Sequence, residues 1–501
     1  MIISEGRATF ESGYKNRSKD IILRWREQDE TGAWVRKEKI DKEFKPYGFV
    51  DPRRIYDKVG ENPYSPSSYR QLKIYEVEDA AKRYRGVIDK DCNAVNAQGD
   101  KLWKITFNSP STMDRFRWKY SHDANNQIKS SFDGTYEFDV PYTDRYMIDN
   151  MDEIHRFKPR LVFIDLESTQ FTDEEHGPRY PYLRREGHGM RGYQEINTIG
   201  CYDNFSETYV QWFQHPEIPT EDEVHRDGKL EKFDEHLVEV RRFADEKSML
   251  EDFVEWVELI DPDMFLAWGM GFYDLPTLYT RLEATGVGAD MLSPSTLGFH
   301  QHCGDVNKNG QYGWTTQPLI GRVVVSLDRL FARVFKDASN QDLPSNKLDV
   351  VGEYTLGRGK TDWKPDFYAK DYIKDEWNFL YYNYRDVELM RQIDEKYNII
   401  EGQMALQELC VSSFTSTFYG TNFARVYFMR KADFKQHTGM RMRPKDPRTD
   451  EDDKIEGARV LDPHELETVG MHKNVVILDY AGLYPAMMQA YNTSWETKVI
   501  E

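Results

Sequence analysis

The chain has 501 residues, 39% hydrophobic and 14% aromatic, which is material for packed cores and length for about three domains at roughly 150 residues each. Its formal net charge of -19 argues against a protein that coats nucleic acid by bulk electrostatics, since phosphate contacts want Lys and Arg, although 67 basic residues can still line one channel. No run of about 18 apolar residues occurs, so no membrane span is expected.

The N-terminus, Met1-Ile2-Ile3-Ser4-Glu5, lacks a basic segment leading into an apolar one, and no secretory signal is read there. The first 155 residues have the character of a mixed, β-rich domain. Ile21-Ile22-Leu23-Arg24-Trp25 and Ala33-Trp34-Val35-Arg36 read as strands around a turn at Asp29-Glu30-Thr31-Gly32, a hairpin. The Arg and Lys residues of this region form no stripe and read as solvated surface. From about residue 158 to 398, strand-like and helix-like segments alternate. Leu161 to Leu166, Ile196 to Tyr202, Thr208 to Phe213 and Met264 to Trp268 read as strands. Met249, Leu250, Phe253, Trp256, Val257 and Ile260 recur at helical spacing. The pattern is that of an α/β domain with a central sheet. Residues 399 to about 440 read as helical, Pro444 to Lys454 as an exposed charged linker, and Val475 to Asp479 as a buried strand. Cys92, Cys201, Cys303 and Cys410 lie far apart with no CxxC pair, which argues against a zinc knuckle or disulfide framework and fits a reducing, cytoplasmic setting.

Leu161-Val162-Phe163-Ile164-Asp165-Leu166-Glu167 carries the strongest chemical signal. Side chains alternate along a strand, so Asp165 and Glu167 share a face. Two carboxylates side by side at a buried strand end repel, and a divalent cation between them relieves the repulsion. Asp274 follows a glycine-bearing loop, Gly269-Met270-Gly271, and precedes Leu275-Pro276, where it suits a helix N-cap as well as a ligand. Tyr382 and Asp386 stand at i and i+4 of a helix-periodic segment and share one face. An ordinary surface pair would look the same.

Asp-x-Glu at a strand end, an Asp at a strand-to-helix turn and Tyr-x-x-x-Asp on a helix, in that order, resemble the DEDD exonuclease superfamily in its Tyr variant. The resemblance implies a ribonuclease H-like domain in which Asp165, Glu167, Asp274 and Asp386 hold two Mg²⁺ ions, with Mn²⁺ as a substitute, and Tyr382 helps orient the attacking water. Further on, Asp479-Tyr480-Ala481-Gly482-Leu483-Tyr484-Pro485 resembles motif A of family B DNA polymerases, and Asn492-Thr493-Ser494-Trp495-Glu496-Thr497 looks like that family's phage branch. The order of motifs is also the family's. It implies an N-terminal domain over residues 1–157 with a returning segment at 399–445, an exonuclease domain over 158–398, and the start of the palm at 446–501. It implies that Asp479 binds polymerase metals, that the backbone at Gly482 and Leu483 approaches the incoming triphosphate, and that Tyr484 lies under its sugar and excludes a 2′-hydroxyl. The partners it implies are DNA primer–template, a single-stranded 3′ end and, in some members, a sliding clamp.

Four positions depart from the family pattern. Gly482 replaces the Ser of motif A, Gly269 stands where the second exonuclease motif has Asn, Tyr273 replaces Phe, and Ile455-Glu456-Gly457-Ala458 lacks the Tyr of its motif. None removes a metal ligand. The sequence given ends at Glu501 with neither motif B nor motif C in it, so the expectation is a proofreading 3′→5′ exonuclease whose polymerase site is incomplete. A second polypeptide would carry fingers, remaining palm and thumb, or the chain is a fragment. A free-standing exonuclease and a non-catalytic DNA-binding assembly subunit are the alternatives. The motif A segment argues against the first, and the full carboxylate set against the second.

Overall fold

The computed structural model describes residues 1–6, 20–58, 69–96, 100–121, 134–154, 156–168, 195–215, 228–271, 273–294, 319–339, 343–363, 374–431, 438–439 and 482–491. Its contacts divide the chain into two compact units, residues 1–44 with 141–431 and residues 45–140 with 432–501.

Alternation along Leu161–Ser168 organises the first unit. Leu161 and Phe163 enter one apolar core, and Val162, Ile164 and Leu166 enter the other. A strand with apolar residues on both faces needs cover on both, and helices supply it. Phe379, Leu380, Tyr384 and Val387 of the helix Glu376–Tyr397 lie in the first core. Met249, Phe253 and Val257 of the helix Glu246–Ile260, with Leu275 and Leu278 of the helix Asp274–Thr285, lie in the second.

The sheet has seven strands, in the order Lys229–Phe233, His236–Phe243, Thr208–Gln214, Ile196–Asp203, Leu161–Ser168, Met264–Ala267 and Val323–Ser326. Leu161–Ser168 runs antiparallel to Ile196–Asp203 and parallel to Met264–Ala267. The expected α/β class and its strands are present, and the last five strands of that order form the mixed sheet of a ribonuclease H-like domain. The parallel pairing stops at Phe163, so the second half of the Asp165 strand has a free edge on that side.

The hairpin is also as read, Asp20–Gln28 against Trp34–Asp41. Asp29 accepts from the Thr31 N–H at 2.8 Å, and Gly32 takes a φ of +84° that favours glycine. Its arginines, however, are not solvated surface. Arg24 and Arg26 are buried. Arg24 donates to Asp261 at 2.9 Å and Arg26 to Asp263 at 2.6 Å, and Arg36 pairs with both carboxylates. Asp263 is wholly buried and also accepts from the Arg160 N–H at 2.8 Å. Burial acts to raise the Asp261 carboxyl, but Arg24, Arg36 and Arg322 overcome it and hold the group far below the usual carboxylate range. Partners more than two hundred positions away leave no mark on local periodicity.

In the second unit a four-stranded sheet of Thr135–Tyr136, Tyr47–Val50, Trp103–Thr106 and Val87–Asp89 packs on a core that includes Phe107, Phe116 and Phe138. The helical reading of 399–440 holds over Ile399–Cys410 and Gly420–Lys431, with a break between them at Val411. Thr438–Gly439 is instead a short strand, pairing in parallel with Val95–Asn96; a remote pairing partner overrides local pattern. Leu483–Ala490 is a helix with no buried residue, and Tyr484 is 72% exposed. Asp479, its strand, the linker Pro444 to Lys454, and Ile455 lie outside the described residues.

The helix that starts at Asp274 ends at Gly286, whose φ is +78° with nothing within 4 Å of a built Cβ. The penalty of a Gly286→Ala change is therefore conformational rather than steric. It should lower stability by roughly 1–2 kcal/mol, readable as a shifted denaturant midpoint.

Candidate metal centre

Asp165 and Glu167 continue the alternation of Leu161 and Phe163, and so point to the face covered by the Glu376–Tyr397 helix. A bulge between Glu167 and Ser168 bends the strand end, a common device beside functional sites. From the covering helix Asp386 completes a triad, in which one carboxylate oxygen of each residue lies within 4.8 Å of the others. Asp386 is 1% exposed, Asp165 and Glu167 half-buried.

Asp274 reaches the same region from another direction. It is not the N-cap of its helix but the first helical residue, with Tyr273 at the cap and no side-chain cap bond. Its own N–H and the Leu166 N–H, on the Asp165 strand, favour the ionised form of its carboxyl. Gly269 lies beside it, since a Cβ there would stand 3.5 Å from Asp274 Oδ2. Tyr273 donates to or accepts from Ser168 Oγ at 2.7 Å, tying the helix start to the strand end. Tyr382 is half-buried one helical turn before Asp386, with the Trp363 ring at 6.2 Å.

The electrostatics follow from this crowding. Burial, then Asp386, Glu167 and Asp274, push the Asp165 carboxyl well above its ordinary range. Burial and Asp386 push Glu167 up to about 8, and burial carries Asp274 to about 7 and Asp386 to about 6. Four carboxyl groups crowded in this way resist ionising together, and a cation among them would relieve the repulsion. Asp386 Oδ1 is buried and finds no hydrogen-bond partner among the described residues. Hard oxygen donors, an orphaned carboxylate oxygen and mutual repulsion all fit a divalent cation.

Lys360 escapes sequence reasoning. Its ammonium donates to Asp386 Oδ2 and lies 5.2 Å from the Tyr382 ring centroid. Burial works to lower its pKa, but Asp386 and Asp165 raise it further, so it is a fixed cation in the acidic cluster. Gly357-Arg358-Gly359-Lys360 reads locally as a helix-terminating loop, with no sign of what its lysine meets.

An acidic cluster on a ribonuclease H-like sheet is a candidate divalent-cation site at the end of a central strand. Comparison with known proteins makes it specific. The family model of DNA polymerase family B, exonuclease domain, matches residues 202–313, and that of DNA polymerase family B matches residues 413–501. A DNA polymerase of Thermococcus litoralis is 23% identical over 480 residues, covering 91% of this chain and 23% of that protein. A DNA polymerase of Pyrococcus glycovorans is 23% identical over 448 residues, covering 85% and 47%. One of Pyrococcus horikoshii is 22% identical over 481 residues, covering 92% and 32%. By these matches the chain is similar to family B DNA polymerases, to their exonuclease domain over residues 202–313 and to the family's polymerase model over residues 413–501. It spans less than half the length of each of these three relatives. Among the described residues no helix is long and apolar enough to cross a membrane.

Proposed function

We propose that Asp165, Glu167, Asp274 and Asp386 form a 3′→5′ exonuclease site that hydrolyses DNA phosphodiesters at single-stranded or frayed 3′ ends and serves as the proofreading activity of a family B DNA polymerase. The observation that carries it is the approach of the Asp165, Glu167 and Asp386 oxygens to within 4.8 Å in a chain similar to this family's exonuclease domain. When bound, a pair of Mg²⁺ ions, or Mn²⁺ in their place, activates the nucleophile and stabilises charge on both sides of an in-line displacement. The four carboxylates hold that charge in place. Tyr382 orients the water: burial, then Glu167 and Asp386, push its phenol up, so at neutral pH it remains a hydrogen-bond donor. Lys360 holds one fixed positive charge against Asp386 and limits the repulsion the cluster must bear.

The same reading divides the chain at about residues 157, 398 and 445 and assigns polymerase roles to Asp479, Gly482, Leu483 and Tyr484. Asp479 would hold metal, the Gly482–Leu483 backbone the triphosphate, and Tyr484 the sugar. The exposed Tyr484 ring is free to take a ligand. Motif B and motif C residues are not among the 501; in this proposal they come from further polypeptide, in the same chain or another. Asn492 to Thr497 favour a phage-type replicative enzyme.

The test is an end-labelled primer–template and its single strand, incubated with the protein, Mg²⁺ and dNTPs. Stepwise shortening from the 3′ end, halted by chelation, is the expected result. No shortening with either Mg²⁺ or Mn²⁺ would overturn the proposal.

A further inference from the structure

We infer that Asn383 is a positioning residue that fixes the Asp165 carboxylate, and that Gln211 and Gly200 hold Asn383 in place to do it. This rests on the exonuclease reading above and adds to it a support absent from the motif.

Asn383 lies one residue after Tyr382 on the covering helix and is wholly buried. A buried amide must find partners for both its ends. Gln211 Nε2 donates to the Leu380 carbonyl and to Asn383 Oδ1, each at 2.9 Å. Asn383 Nδ2 donates to Asp165 Oδ2 at 2.8 Å and to the Asp165 carbonyl at 3.2 Å. The orientation of both amides follows from one fact. The Leu380 carbonyl can only accept, so the Gln211 atom facing it is nitrogen. The Asn383 atom facing that nitrogen is then oxygen, and the Asn383 nitrogen faces Asp165. A backbone carbonyl thus sets which end of the chain of amides meets the carboxylate.

The sheet register explains why this bridge is possible. Gly200 is the cross-strand partner of Asp165 on one side and of Gln211 on the other. The three residues form one row on one face, and Asn383 spans the row above Gly200. A Cβ on Gly200 would stand 2.1 Å from Asn383 Oδ1, closer than any contact allows. Glycine here makes room for the amide, and the amide joins the two residues flanking the glycine. With Oδ2 engaged by a neutral donor and the main-chain carbonyl gripped by the same nitrogen, Asp165 keeps one rotamer beside Glu167 and Asp386.

Outer groups of this kind are worth about 10–100-fold in metal affinity or activity. Asn383→Leu should weaken Mn²⁺ binding, read from the free Mn²⁺ signal by electron paramagnetic resonance, by about 10–100-fold. It should raise the Mg²⁺ concentration needed for half-maximal trimming by a similar factor, with the KM for single-stranded DNA unchanged. Gly200→Ala should act in the same direction by displacing the amide. Gln211→Met, which leaves Asp165 and Asn383 in place, is the variant to rely on if the other two melt early. Wild-type Mn²⁺ affinity in folded Asn383→Leu or Gln211→Met, beside a wild type that trims, would overturn the positioning role alone. A wild type that neither trims nor binds Mn²⁺ more tightly than Asp165→Ala would overturn the exonuclease reading, and this role with it.

Discussion

Asp165→Ala is expected to bring metal-dependent trimming of a 3′ end to background while leaving the metal-free protein at least as stable as the wild type. The two effects have one origin. Asp165 is crowded by Asp386, Glu167 and Asp274, and burial adds to their repulsion. Removing one member of a group of like charges relieves the rest. The change leaves Asn383 Nδ2 one of its two acceptors, the residue 165 carbonyl, so the amide keeps a partner while the repulsion falls. Activity moves the other way, because the charges that crowd one another without metal are those that hold it. The loss should exceed the roughly 10²–10³-fold that follows removal of one preorganised catalytic group. Melting curves in chelator and a trimming assay in Mg²⁺ check the pair of outcomes, with Asp165→Asn as the variant that keeps the shape of the site. Trimming by Asp165→Ala at the wild-type rate would sink the assignment. A large drop in its metal-free melting temperature would mean that the carboxylate is a structural group.

What the sequence disclosed depended on how local the physics was. Asp165 and Glu167 were legible because strand alternation is a short-range rule, and the structure places both on the face that the rule selects. Tyr382 and Asp386 were legible as a helical pair for the same reason. Asp274 could be placed at the start of a helix, but not beside the Leu166 N–H as well, a neighbourhood that depends on where the parallel pairing stops. Lys360 and Asn383 were illegible. One follows a glycine-rich turn and the other is a polar residue in a helix, and each acquires meaning only when the covering helix lies on the sheet. The hairpin arginines were read in the wrong environment because Asp261 and Asp263, which neutralise them, come from a distant loop. Residues whose role is set by a neighbour in sequence were readable. Those set by a neighbour in space needed the fold.

Binding of a divalent cation should strengthen steeply with pH between about 6 and 8 and should release protons. Glu167, Asp274 and Asp386 are raised to about 8, 7 and 6, all above the values the same groups take in an unfolded chain. Between roughly pH 4 and pH 8 the metal-free folded protein therefore holds protons that the unfolded chain has released. Its stability falls as pH rises through that window, by up to about 1.4 kcal/mol per pH unit for each group still protonated. Those protons must leave before the oxygens can bind metal, so each one displaced makes apparent affinity about tenfold stronger per pH unit. Above about pH 8 the share owed to these three should flatten, because Glu167, the highest of them, is then ionised, while Asp165, also pushed up, adds its own share. Calorimetric titration with Mn²⁺ in two buffers of different ionisation enthalpy counts the protons directly. Glu167→Gln removes the group raised furthest among those three and should lower the count, with its own loss of affinity most evident at high pH. An affinity that stays flat from pH 6 to 8 with no proton release would mean that these carboxylates are already ionised without metal, and that Lys360 alone offsets their charge.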